Sequence, residues 1–216
     1  MRAIAVSLPP LLLAVLLTSA CTPAHISSTW QELATAPHYP SVVVFGVADS
    51  ALVRHAYEDN FVRALRQHGV TATPGHRLLA EADVAGGKAL RAAIGRSSAA
   101  AVAVVHLRCD SPGDLGLNPF THVRISKDGK LYPYYTRVHQ TVTANDYYAR
   151  ARTLRLETSL YDAEDTTLAW SGRSAPLAPD SEQTTIGELI EAMVARMRQD
   201  GVITDDGGVE PATAGG

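Results

Sequence analysis

Hydrophobic residues along the chain fall into three patterns, each predicting a different element. Val42-Val43-Val44-Phe45 and Ala99 to Leu107 are continuous apolar runs, the pattern of strands covered on both faces. Between Leu52 and His68 the apolar positions Val53, Tyr57, Phe61 and Ala64/Leu65 recur at helical spacing. Asp49-Ser50 supplies the N-cap and Gly69 sits where a C-cap glycine belongs. A short strand over Val70 to Thr73 is cut by Pro74-Gly75, and residues 84 to 94 read as a second helix with Leu90, Ala93 and Ile94 inward and Gly95 at its end. Strand, helix, strand, helix, strand is the order of a βαβ arrangement with parallel pairing.

Beyond residue 109 the pattern changes. Pro112, Gly113, Gly116, Pro119 and Gly129 mark an irregular insertion over residues 110–136, with a hairpin turn expected at Ser126 to Lys130 and a further strand at Val138 to Thr143. Leu154, Leu156, Thr158 and Leu160 then alternate with Arg155, Glu157, Ser159 and Tyr161, a half-buried strand. Asp162 to Asp165 makes a turn, and Leu168 and Trp170 continue on an antiparallel partner. Finally Ile186, Leu189, Ile190, Met193, Val194 and Met197 form an amphipathic helix stripe, with Thr185 and Glu188 as a capping box and Gly201 as its stop. The fold class expected is α/β with α+β character in the C-terminal half: one domain over 41–203, its mixed sheet built from βαβαβ, a hairpin and a C-terminal helix. Residues 204–216, acidic and glycine-rich, read as a disordered tail.

The first forty residues follow other rules. Arg2 precedes an apolar run from Ala3 to Leu17, too short for a membrane span of about 20 residues, and the whole of 1–20 reads as a signal peptide. Leu17-Thr18-Ser19-Ala20-Cys21 resembles the lipobox of bacterial lipoproteins. That likeness implies a diacylglyceryl thioether on Cys21, which becomes the acylated N-terminus. Thr18 stands where the family more often has Leu. The other reading is ordinary cleavage near Ala20 with Cys21 left as a thiol. Thr22, where an inner-membrane sorting signal has Asp, implies the outer membrane. Residues 21–40 then read as the lipidated cysteine and a flexible tether.

Composition adds exclusions. Of 216 residues 46% are hydrophobic and 19% charged, which rules out a wholly disordered chain, a coiled coil and a collagen-like fibre. With 19 basic against 22 acidic residues, net charge is −3, so no strong field recruits nucleic acid. Two cysteines, one of them the anchor, leave Cys109 without an intramolecular disulfide partner, either buried in the core or reactive.

The order Val-Val-Val-Phe-Gly, a helix ending Ala64-Leu65-Arg66-Gln67-His68-Gly69-Val70, and Ala99 to Val104 looks like small envelope lipoproteins of Gram-negative bacteria. These are similar to the amino-terminal domain of TolB and to CsgG-type periplasmic domains. Leu160-Tyr161-Asp162 and Leu168-Ala169-Trp170-Ser171-Gly172 resemble a hairpin of many such proteins. The resemblance implies a fold and an envelope location, and it brings no catalytic residues.

Known catalytic patterns are absent from the sequence. There is no G-x-S-x-G elbow, no H-E-x-x-H and no C-x-x-C, and Gly86-Gly87-Lys88-Ala89 lacks the upstream glycine and the hydroxyl of a phosphate-binding loop. His55 and Glu58, with Asp59 beside them, either share a helix face that binds a divalent ion or form a solvated local ion pair. His106, Cys109, Asp110, Asp114 and His122 gather near the end of the central strand. They read as a metal site, as a Cys–His nucleophile, or as a polar loop after a core strand. Six of eight tyrosines lie between 132 and 161. Tyr132, Tyr134, Tyr135, Tyr147 and Tyr148, with Arg137, Arg150 and Arg152, form either a partner surface or cross-strand packing.

The expectation is an outer-membrane lipoprotein on the periplasmic face. It would act as a non-enzymatic accessory or assembly module with a protein partner of the envelope, using no cofactor and no nucleic acid. The alternative is a small periplasmic enzyme or metal- or ligand-binding protein built on the loop around Cys109.

Overall fold

A strand with no polar face must be covered on both sides. In the computed structural model Ser41–Val47 (β2) and Ala101–Cys109 (β4) lie side by side and parallel near the middle of one six-stranded mixed sheet. The structure describes residues 26–31, 38–109, 130–149, 151, 153–177 and 186–204. The remaining strands are Ile26–Gln31 (β1), Thr71–Pro74 (β3), Leu154–Asp162 (β5) and Leu168–Ser174 (β6), in the order β1-β6-β5-β4-β2-β3. β2 pairs in parallel with β3 and β4, whereas β4–β5, β5–β6 and β6–β1 are antiparallel. This is the expected α/β fold, with a parallel half and a hairpin half sharing one sheet.

Alternation along the strands divides the core in two. Val42, Val44, Ala101, Ala103, Val105 and Leu107 face helices Ala51–Gln67 (α1) and Ile186–Gln199 (α4). Val43, Phe45, Val47, Val102 and Val104 face Gly87–Ser97 (α2) and Leu131–Val142 (α3). After β2 the chain crosses by α1 to β3 on one side. After β3 it crosses by α2, on the opposite face, to β4 on the other side. Right-handed crossovers in opposite directions require helices on opposite faces.

The caps of α1 are as the sequence predicts: Ser50 accepts from the Val53 N–H at 3.2 Å, and Gly69 takes φ +75°. The end of α2 is not. Gly95 lies inside the helix, which runs to Ser97 and ends on Ser98 in the left-handed conformation at φ +51°.

Two expectations fail on β-branched and small polar residues. Val138 to Thr143 is not a strand but the second half of α3, with Leu131, Tyr135, Val138 and Val142 on one buried stripe. Pro133 sits in its first turn, where a missing N–H costs nothing. Residues 131–136 of the expected irregular insertion are therefore helical, and residues 126–129 of the hairpin turn expected at Ser126 to Lys130 lie outside the described residues, as does Thr185 of the capping box. Nor are residues 21–40 a tether throughout. Ile26–Gln31 pairs with β6 as an edge strand, and Tyr39 bridges to the chain after α4, its N–H donating to the Val202 carbonyl at 3.0 Å. Asp205 to Gly216 lie outside the described residues.

Candidate functional site

Two charges sit on the apolar stripe of α1, where helical spacing places Arg54 and Glu58 among Tyr57, Phe61 and Leu65. Such groups survive burial only when each is paired and fully hydrogen-bonded. Glu58 meets that requirement at the carboxyl ends of β2 and β3. Its Oε1 accepts from the Gly46 N–H at 3.0 Å and from Arg54 Nη1 at 3.1 Å. Its Oε2 accepts from the His76 N–H at 2.6 Å and from His76 Nδ1 at 2.8 Å. Burial pushes the Glu58 carboxyl above the usual range, and Arg54 and the three other donors oppose that rise. Close approach needs Gly46: a Cβ there would lie 2.9 Å from the Arg54 carbonyl oxygen and 3.3 Å from Glu58 Cγ.

Outside this clamp lies a looser layer. Glu81, in the short helical turn Glu81–Asp83, contacts Arg54 Nη2 and stands 2.9 Å from His55 Nε2. Its slight burial opposes ionisation, but His55 and Arg54 outweigh that and hold its carboxyl below the usual range. The His55 and His76 rings lie 4.4 Å apart, and His76 Nε2 is 3.7 Å from Asp59. His55 and Glu58 therefore do not share a ligand-bearing face, since Glu58 turns inward and His55 turns to Glu81. Among the described residues no group of three His, Cys, Asp or Glu side chains is placed to hold a metal ion.

The second predicted cluster divides between the faces of β4. Three residues apart on a strand means opposite sides, and His106 and Cys109 take them. The Cys109 thiol donates to the Tyr147 carbonyl at 3.3 Å. His106 is buried, with Nδ1 lacking a hydrogen-bond partner among the described residues, on the face that carries Glu157. Among the described residues Cys109 and His106 thus do not form a Cys–His nucleophile pair. Asp110, Asp114 and His122 lie outside the described residues.

Around His106 is a charged strip that sequence reading did not assemble. Arg173 donates to Glu157 Oε2 through Nε at 3.1 Å and Nη2 at 2.7 Å, and Arg108 lies 3.7 Å from the same oxygen. The Tyr134 hydroxyl donates to Glu157 Oε1 at 3.3 Å and accepts from Ser159 at 3.1 Å. Burial works against ionising Glu157, but protonated His106, Arg173 and Arg108 together hold its carboxyl below the usual range. Burial lowers His106 as well; Glu157 opposes this, and Arg108 and Arg173 add to it.

The tyrosines of the expected partner surface separate by environment. Tyr135 is core, 1% exposed and edge-on to Phe45 at 6.2 Å, so it belongs to no contact surface. Tyr134 is tied into the Glu157 network. Tyr132 is half-buried, with the Arg91 guanidinium 4.1 Å above its ring, and Arg137 is exposed five residues further along α3. Tyr147 and Tyr148 form a T-shaped pair, 4.9 Å between centroids, at the end of β4. The Cys109 N–H donates to the Tyr147 hydroxyl at 3.2 Å, and the Tyr148 hydroxyl donates to the Leu107 carbonyl at 3.3 Å. Tyr148 packs against both halves of the core. It fills the place between the ends of β2 and β4 where the crossover direction reverses, the usual ligand crevice of such sheets. Cys21, Arg150 and Arg152 lie outside the described residues.

At the other end of the sheet is a cleft of about 490 Å³, lined by His38, Tyr39, Ile94, Ser98, Asp162 and Glu164 among others. The Tyr39 hydroxyl donates across it to Asp162 Oδ2 at 3.1 Å.

No family model matches the chain, and no curated protein matches it. Among solved structures, the PelC dodecamer of Paraburkholderia phytofirmans is similar at 13% identity and a TM-score of 0.39, over 77% of this chain and 94% of that one. A second crystal form, of a PelC point variant, is similar over the same shares of both chains at 13% identity and a TM-score of 0.40. No helix among the described residues is long and apolar enough to cross a membrane.

Proposed function

We propose that the chain is an outer-membrane lipoprotein, anchored through Cys21 on the periplasmic face, whose α/β domain is a non-enzymatic accessory or assembly module for another envelope protein. The observation that carries this reading is Leu17-Thr18-Ser19-Ala20-Cys21 at the end of a short apolar run. Several acyl chains, at about 0.8 kcal/mol per buried CH₂, make a stable anchor. Two structural features support the module reading. The ionised groups near the strand ends are spent on each other, Glu58 on four donors and Glu157 on Arg173 and Tyr134. The outer sides of α2 and α3 present Arg91, Tyr132 and Arg137, residue types that dominate protein contacts.

The test is metabolic labelling with an alkyne fatty acid, followed by crosslinking in intact cells and mass spectrometry. Wild-type protein should incorporate the label and retain one stoichiometric partner, and Cys21→Ala should lose the label and leave the membrane fraction. Unlabelled wild-type protein would sink the reading.

A further inference from the structure

Strand direction fixes which end of the domain the N-terminus leaves from. β1 runs antiparallel to β6, β6 to β5 and β5 to β4, so β1 begins at the end of the sheet where β2, β3 and β4 finish. The register agrees: Ile26 is opposite Ser174, the last residue of β6, and Cys109 is opposite Leu154, the first residue of β5. Cys21 is five residues before Ile26, and five residues of chain reach at most about 18 Å.

That reach is short against the domain. Ile26 is opposite Ser174, one step past the Arg173–Glu157 pair and so level with Leu156 and Leu107, which puts it six steps, about 20 Å at roughly 3.3 Å per step, from Ala101 and Asp162, with the turn after Asp162 beyond them. With the anchor in a bilayer, the far end, carrying the Asp162 to Thr167 turn, cannot be the end that rests on the membrane. Ile26 would then be held farther from the lipid than the chain extends.

The near end also has the surface for such a contact. Leu52, in the first turn of α1 just after β2, is 80% exposed, the one large hydrophobic residue so exposed among the described residues. Beside the end of β4, Tyr147 and Tyr148 are half-buried, with their hydroxyls turned to the backbone of Cys109 and Leu107. Leucine and tyrosine together suit the boundary between headgroups and acyl chains. Asp49 and Asp146 are exposed at the same end, so attraction to anionic lipid is not what would hold it there.

We infer that the carboxyl end of the parallel strands, where Leu52, Tyr147 and Tyr148 lie, rests on the phospholipid surface into which Cys21 is anchored. This rests on the lipoprotein reading above. It places the cleft by His38, Tyr39, Ser98 and Glu164 away from the membrane, facing the periplasm.

The test uses full-length protein matured in cells, purified, weighed intact and reconstituted into vesicles of phosphatidylethanolamine and phosphatidylglycerol. In a Cys109→Ser background, Leu52→Cys or Glu164→Cys carries an environment-sensitive fluorophore, and nitroxide-bearing lipids serve as quenchers. Leu52 and Glu164 are both exposed, so neither label disturbs packing. The label at 52 should be quenched at least twofold more than the label at 164, and added salt should leave the difference in place. Equal quenching, or stronger quenching at 164, on protein that carries acyl mass overturns the orientation alone. Protein without acyl mass overturns the lipoprotein reading and this inference with it.

Discussion

A carboxylate withdrawn from water keeps its place only if donors replace the water it lost, and Glu58 shows what that requires: two backbone N–H groups, a guanidinium and an imidazole. The arrangement fastens the end of β2 to the turn after β3, which accounts for two charged residues on a helix stripe that should be apolar. His106 is the opposite case, a buried ring whose Nδ1 has no partner among the described residues. Burial holds it below the ordinary value of 6.5, against the pull of Glu157 and with added repulsion from Arg108 and Arg173; the Tyr134 ring faces it from α3. The unfolded chain therefore binds the His106 proton more readily than the folded one. The stability this confers is complete above pH 6.5 and is lost as pH falls below it. Between pH 7.5 and 5.5 the wild type should lose up to about 1 kcal/mol more unfolding free energy than His106→Gln. Urea titrations at the two pH values measure the difference, and parallel losses in the two proteins would mean His106 does not titrate differently on folding.

Elements with a single unambiguous period were legible before any coordinates. α1 with Ser50 and Gly69, the two apolar strands β2 and β4, the β5–β6 hairpin and the stripe of α4 all lie within a few residues of expectation. Elements went unread where residue type and context disagree. Val138, Thr141, Val142 and Thr143 favour strand by type, yet Val138 and Val142 follow Leu131 and Tyr135 at helical spacing and are held by the α2 side of the core. Ile26–Gln31, rich in Ser and Thr, reads as linker because an edge strand depends on a partner 140 residues away, which local pattern does not contain. The charged sites were unreadable for the same reason. Glu58–His76 and Glu157–Arg173 pair across elements, and only the Arg54–Glu58 spacing left a local trace. Contacts between elements also explain Gly172 in β6. A Cβ there would strike the Trp170 ring and stand 2.7 Å from Met193 Sδ, because the indole folds over the glycine toward α4. Overpacking of this kind costs about 1–3 kcal/mol. Gly172→Ala should therefore lower the melting temperature by roughly 3–10 °C at the usual 2–4 °C per kcal/mol. A scan showing no change would mean Trp170 can move aside, and that the β6–α4 contact is looser than it looks.

At the scale of the molecule, the proposed anchor and the sheet would divide the surface between them. If the ends of β2 and β4 rest on lipid, a protein partner must use the flanks or the far end. On the flank formed by α2 and α3, Arg91 and Arg137 are exposed, while Tyr132, under the Arg91 guanidinium, is half-buried against the core that Tyr135 closes. Neighbours on one helix are therefore assigned opposite roles, and substitution separates them. Arg91→Ser combined with Arg137→Ser removes contact area and charge at two exposed positions without opening the core, so crosslinking to the proposed partner should fall severalfold while the melting temperature stays within about 2 °C, the usual outcome at surface positions. Tyr135→Ser deletes a buried ring against Phe45, a change that costs about 3–5 kcal/mol, so it should lower stability sharply and reduce partner capture only through the folded fraction that remains. Partner capture that survives the double substitution intact would move the contact off this flank. The cleft beside Tyr39 and Asp162, at the end of the sheet farthest from the anchor, would then be the next surface to probe.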